Sequence, residues 1–155
     1  FFPEMIPDIA RILKKDRIFI TITHSHKDMR EMVGIVKKIF RYNKLLEENQ
    51  SLPIEIIFEQ FSTENGGRLL HPFFGKVEAI DFKNTLVFQP DEIGHFMDYF
   101  QFKKSFFLTG NSVHNKTVPD QLTMELCELA MKKDVVSMCK DDKIFICSRP
   151  VTPED

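Results

Sequence analysis

Thr23-His24-Ser25-His26-Lys27-Asp28 gathers more chemically capable side chains than any other run in the sequence. Imidazoles titrate near neutral pH, so His24 or His26 could orient a ligand or take its proton. Two neutral imidazoles with carboxylates nearby can also hold zinc. The plain alternative is a pair of solvated loop histidines, because the sequence identifies no partner carboxylate. A second group is aromatic: Phe96, Tyr99, Phe100 and Phe102, then Phe106-Phe107. These suit an aromatic acceptor pocket, a protein interface or simple core, and core is the simplest. The six glycines make no GxGxxG and no GxxxxGK[ST], and neither GxSxG nor HExxH occurs. Nucleotide-loop, serine-hydrolase and zincin chemistry therefore have no motif to stand on.

Several elements must position these residues. Pro7 to Lys15 reads as a short helix through Ile9, Ile12 and Leu13, with Pro7 in its first turn. Arg17 to Thr23 reads as a strand buried on both faces. Asp28 with Glu31 fits a capping box opening a helix that carries Met29, Met32, Val33, Val36 and Phe40 on one side. Ile54 to Phe58 is too short for its periodicity to decide a type, and reads as weakly structured. Ser62 or Thr63 caps a short helix through Leu70, weakened by Gly66-Gly67, and Val77 to Phe82 alternates as a strand. Asp91 to Phe102 and Pro119 to Lys133 read as helices. Val135 to Cys139 and Lys143 to Ser148 read as a hairpin about the polar turn Lys140-Asp141-Asp142, with a frayed tail after Pro150. Together they predict an α/β layout, read as one piece of a single domain spanning 1–155, with parallel early strands and a C-terminal antiparallel strand.

The stretch Phe61-Ser62-Thr63-Glu64-Asn65-Gly66, followed by Leu70, Phe73-Phe74, Val77-Glu78, Phe82 and Leu86, resembles the C-terminal half of class I S-adenosylmethionine-dependent methyltransferases. In that family an F-x-x-E-N-G turn opens a helix, an aromatic pair ends it, and a V-E strand with a later Leu forms the sixth sheet strand. Pro7 to Lys14 is similar to the family's helix leading into strand five. Thr23 to Met32 is similar to its T-N-G-x-x-H-M-x-E-L loop, with Met29, Glu31 and Met32 in place. Lys15-Asp16 departs from the usual glycine pair, and Asp28 stands where the family often has His. The resemblance implies part of a Rossmann-like methyltransferase sheet and methyl transfer to a small-molecule substrate. It places His24, His26 and Tyr99 on the substrate side and Phe1 and Phe2 beside the cofactor. S-adenosylmethionine would bind only with an upstream half that carries the glycine-rich loop, and a start at Phe1 without Met fits such a missing half.

A second resemblance competes. Thr23 to Asp28 is similar to the H-x-H-x-D-H opening of metallo-β-lactamase-fold hydrolases, with Gly94-His95 and Thr109-Gly110-Asn111-Ser112 where further ligands would fall. Met29 replaces the last His and Asn111 the bridging Asp, so two expected donors are missing and no metal is expected. A third reading is a non-catalytic methyltransferase-like binding module.

Composition narrows the classes. The 155 residues are 43% hydrophobic, and 21 Lys+Arg against 23 Asp+Glu leave a net charge of −2. The interspersed charges lack the basic footprint of a nucleic-acid binder, and no apolar run approaches the ~20 residues of a membrane span. Cys127, Cys139 and Cys147 form no framework, which predicts a reducing, cytoplasmic setting. Oligomeric state is not legible.

Overall fold

The computed structural model of the chain describes residues 2–107 and 114–151, the side chains of 114–116 excepted. Phe1, the Thr109 to Ser112 stretch and the tail beyond Val151 fall outside the described residues. The fold is mixed α/β, and the chain divides into two compact units, crossing between them at residues 28/29, 56/57, 84/85 and 139/140.

The first unit holds a three-stranded sheet. Its strands are β1 (Ile18–His24), β2 (Phe74–Phe82) and β5 (Asp142–Pro150), in the order β1-β5-β2. Strand β5 is antiparallel to both neighbours, with Ile20 opposite Ile146 and Ile80 opposite Ile144. The outer strands β1 and β2 are thus parallel to each other, and the expected antiparallel C-terminal strand lies between them. Helices α1 (Phe2–Ile12) and α4 (Gly66–Leu70) cover one face, burying Ile6, Ala10, Leu70, Phe74, Phe145 and Cys147.

The expectation that the first strand is buried on both faces is not met. Period-two alternation sends Phe19, Thr21 and Thr23 one way and Ile18, Ile20 and Ile22 the other. The three isoleucines are 57%, 52% and 63% exposed, and Ile80 and Phe82 of β2 on the same face are also exposed. Helix α1 starts earlier than predicted, so Pro7 lies inside it rather than in its first turn.

The second unit packs α2 (Arg30–Tyr42), α5 (Ile93–Lys103) and α6 (His114–Lys133) with a two-stranded antiparallel sheet of β3 (Thr85–Phe88) and β4 (Val136–Cys139). Met32, Val36, Phe40, Phe96, Phe100 and Leu122 are among its buried side chains, so most of the predicted aromatic group is core. Phe102 and Phe106 are the exceptions, at 80% and 38% exposed.

Three local readings are corrected. Ile54 to Phe58 lies within a helix, α3 (Pro53–Gln60), because Pro53 suits the first turn and the Glu55 carboxylate accepts from the Leu52 N–H at 2.7 Å. Leu86 belongs to β3, not to the strand of Val77 to Phe82. The predicted terminal hairpin does not form: β4 pairs with β3, with Leu86 opposite Met138, while β5 enters the other sheet. A short polar turn satisfies the local rule for a hairpin, but the apolar side chains of β4 fill the second unit's core and take a distant partner.

Candidate functional site

The C-terminal end of β1 delivers His24 to the edge of the sheet where β5 begins, and backbone pairing sets His24 opposite Asp142. The His24 Nδ1 lies 2.6 Å from the Asp142 carboxylate oxygen. A carboxylate only accepts, so a hydrogen bond between the two uses the tautomer in which Nδ1 carries the proton and donates. The Lys140 ammonium lies 2.9 Å from the same nitrogen, and donates to Asp28 at 3.1 Å and Asp142 at 3.0 Å. The Phe58 ring meets the imidazole edge to face at 6.1 Å. The ring is thus held by a carboxylate and by packing, while His24 stays 44% exposed.

Burial governs the charges of this cluster. It raises the Asp28 carboxyl above its ordinary range, an effect only partly countered by Lys140 and His24. Burial also pushes Asp142 upward, but hydrogen bonds from His24 and Lys140 outweigh it and hold the carboxyl below the usual range. For Lys140 burial lowers the ammonium, and its two carboxylate partners more than reverse this.

The donor atoms of His24, Asp28 and Asp142 lie within 4.8 Å of one another, close enough to share one cation. The two carboxylates already share one cation, the Lys140 ammonium. The second imidazole is elsewhere: His26 Nε2 sits 2.9 Å from the Phe58 carbonyl and 2.8 Å from Ser62 Oγ. A carbonyl accepts only, so Nε2 carries the ring proton of His26. The convergence of His24, His26 and Asp28 that the hydrolase resemblance implies is therefore not what these side chains form. His95 lies on α5 in the second unit.

The loop between them is fixed by Glu64 of the E-N-G motif. Its carboxylate accepts from Ser25 Oγ at 2.6 Å and from the His26 N–H at 3.1 Å. Burial works to raise this carboxyl, but the bonds from Ser25, His26 and Thr63 prevail and hold it at about 2. A lowered carboxyl stabilises the fold above its unfolded value, and the contribution disappears as pH falls through 4.5 toward 2. Because Glu64 is exposed, solvent screening limits the effect. Replacing Glu64 by Gln is expected to cost about 1 kcal/mol at pH 7, read from urea unfolding, with the difference vanishing near pH 2. A cleft of about 190 Å³ opens beside this loop, lined in part by Ser25, Thr63, Glu64 and Asp142.

The predicted capping box at Asp28 and Glu31 is replaced by longer connections. Met29 precedes α2 in the left-handed region at φ 48°, with no side-chain cap. Glu31 accepts from the Cys139 N–H at 3.0 Å, while Asp28 is committed to Lys140. Of the other predicted residues, Phe2 packs on Phe19 and Phe61 inside the first unit's apolar cluster. Tyr99 is half-buried on α5 of the second unit. Lys140 and Asp142 are not among the site residues expected from the sequence, where they read as the polar turn of a hairpin. Their signal was two acidic residues and a lysine immediately before an apolar strand, but the partner lies 118 positions away.

No protein-family model and no curated protein matches this chain. Among the described residues, no helix is long and apolar enough to cross a membrane.

Proposed function

We propose that these residues form the acceptor-side part of a class I S-adenosylmethionine-dependent methyltransferase, with the donor held by a glycine-rich half elsewhere in the natural protein. The observation that carries this reading is the insertion of β5, antiparallel, between two mutually parallel strands. That order is what the resemblance of Phe61 to Leu86 implies for the fifth, seventh and sixth strands of such a sheet. Two further features support it. The E-N-G helix α4 leads directly into β2. Among the described residues the face bearing Ile18, Ile20, Ile22, Ile80 and Phe82 is at least half exposed, although covering each of these side chains would contribute about 1 kcal/mol. An α/β sheet normally carries helices on both faces.

The fit to the donor is partial. The 155 residues contain no glycine-rich loop of GxGxxG type, and Phe2 is engaged by Phe19 and Phe61 rather than free to receive a ligand. The donor is treated as a co-substrate, and this chain's share of the work is to align the acceptor and keep it dry.

Hydrogen exchange on the natural protein tests the completed sheet. If a further strand pairs with β1, its amides that are not bonded to β5 will exchange as slowly as those of β5. Rapid exchange at those positions would leave β1 as an edge strand and remove the reading.

A further inference from the structure

We infer that His24 is the residue that takes the acceptor's proton, through Nε2, and that the acceptor therefore attacks through an oxygen or nitrogen that carries hydrogen. This rests on the methyltransferase reading and makes its acceptor chemistry specific.

The choice between the two histidines follows from their partners. At His24 the tautomer in which Nδ1–H donates to Asp142 at 2.6 Å, rather than Nδ1 accepting from Lys140 at 2.9 Å, leaves the lone pair of Nε2 for a substrate. An imidazole oriented by a carboxylate through one nitrogen presents the other as a base, and the imidazolium formed on proton uptake is stabilised by the same carboxylate. His26 has no carboxylate on its ring: its Nε2 faces the Phe58 carbonyl and Ser62. Its loop instead serves as a brace, tied down by Glu64.

Location agrees. His24 ends β1, at the edge where both β1 and β2, the two strands flanking β5, have their carboxyl ends, and in α/β sheets ligands sit at the carboxyl ends of strands. Among the described residues Asp142 and Lys140 lie in bonding distance of it, and Asp28 is the third charged group beside it. Lys140 and Asp28 are positioning residues. The ammonium sits between the two carboxylates and keeps Asp142 aimed at the ring.

The step balances without another reagent. The acceptor's nucleophilic atom forms its bond to the donor methyl, and the methyl–sulfur bond breaks with its electron pair staying on sulfur. The acceptor's proton passes to Nε2 of His24 and from there to water. The sulfonium becomes a thioether, so charge is conserved when the proton is released.

The tautomer gives a readout that needs neither donor nor acceptor. Free imidazole side chains favour the proton on Nε2, and the proposed roles set the two histidines against each other: Nδ1–H at His24, Nε2–H at His26. Long-range proton–nitrogen correlation spectra of the natural protein with ¹⁵N-labelled histidine, taken at alkaline pH, are expected to show that opposition. Asp142→Ala should return His24 to Nε2–H and leave His26 unchanged. Diethyl pyrocarbonate, which acylates a bare imidazole nitrogen, should label His24 on Nε2. A His24 found as Nε2–H, or one unchanged by Asp142→Ala, would overturn the inference. The two readings separate cleanly. A protein that binds S-adenosylhomocysteine but holds His24 as Nε2–H keeps the methyltransferase reading and loses the base. A protein with the predicted tautomer and no such binding keeps a carboxylate-oriented histidine and loses methyl transfer.

Discussion

Replacing Lys140 by Met is expected to cost about 3 kcal/mol of stability at neutral pH, because it strands a buried carboxylate. The side chains of Asp28 and Lys140 are 4% and 17% exposed, and among the described residues no other ammonium lies within bonding distance of Asp28. Methionine keeps the length of the stem and removes only the charge. The pH dependence identifies the cause. Burial has already raised the Asp28 carboxyl in the native protein. Between its unfolded and folded values the native chain binds more protons than the unfolded one, so this group's contribution falls as pH rises through that window. Without Lys140 the folded value moves higher and the window widens upward. Urea unfolding at pH 7 should therefore show the full loss, and unfolding near pH 3, where Asp28 is protonated in both proteins, should show less than about 1 kcal/mol. A loss independent of pH would mean that packing of the stem, not its charge, is what matters. Adding Asp28→Asn to the variant should recover part of the loss at pH 7.

The glycine pair of the E-N-G motif yields the second large effect, and the two positions should behave oppositely. A Cβ built on Gly66 would lie 2.6 Å from Cε2 and 2.9 Å from Cζ of Phe145, and 3.3 Å from the Phe61 ring. Phe145 is 2% exposed, packed among Ile6, Leu70 and Phe74 and set edge-on to Phe61, so the ring has no free direction in which to retreat. Gly66→Ala should destabilise by about 2 kcal/mol even after the gain in helix propensity. At Gly67 the nearest atom would be 3.7 Å away, an ordinary contact. Gly67→Ala should be neutral or stabilising by up to about 1 kcal/mol. Thermal unfolding of the two variants checks the contrast. In a Phe145→Leu background the cost of Gly66→Ala should shrink, which ties it to that one ring.

Both results turn on contacts between residues far apart in sequence, and that is where the sequence was hardest to read. Strand β1, helix α2 and strand β5 were legible because a dense apolar run or a 3.6-residue period fills most of their length. Helix α3 was not, since four apolar residues interrupted by one Glu fit a strand, a helix or a loop equally well, and its helical start is stabilised through Pro53 and Glu55. The Asp28 and Glu31 pair matched a local capping pattern, but each carboxylate found a stronger partner near the β4–β5 junction, Lys140 for one and the Cys139 N–H for the other. The same junction misled the hairpin reading. Gly66 looked like a weak point in a helix, whereas the phenylalanine that requires it sits 79 positions later in β5. At the candidate site the histidines were visible from their spacing. The carboxylate that sets the tautomer of His24 was not, because only the register of β1 against β5 brings Asp142 opposite it.

Calorimetric titration of the natural protein with S-adenosylhomocysteine tests the proposed methyltransferase role most directly. Saturable binding is expected at one site per chain, with an affinity between roughly 1 μM and 1 mM, the range of ordinary enzyme ligands. Absence of any saturable heat up to roughly 1 mM would contradict it.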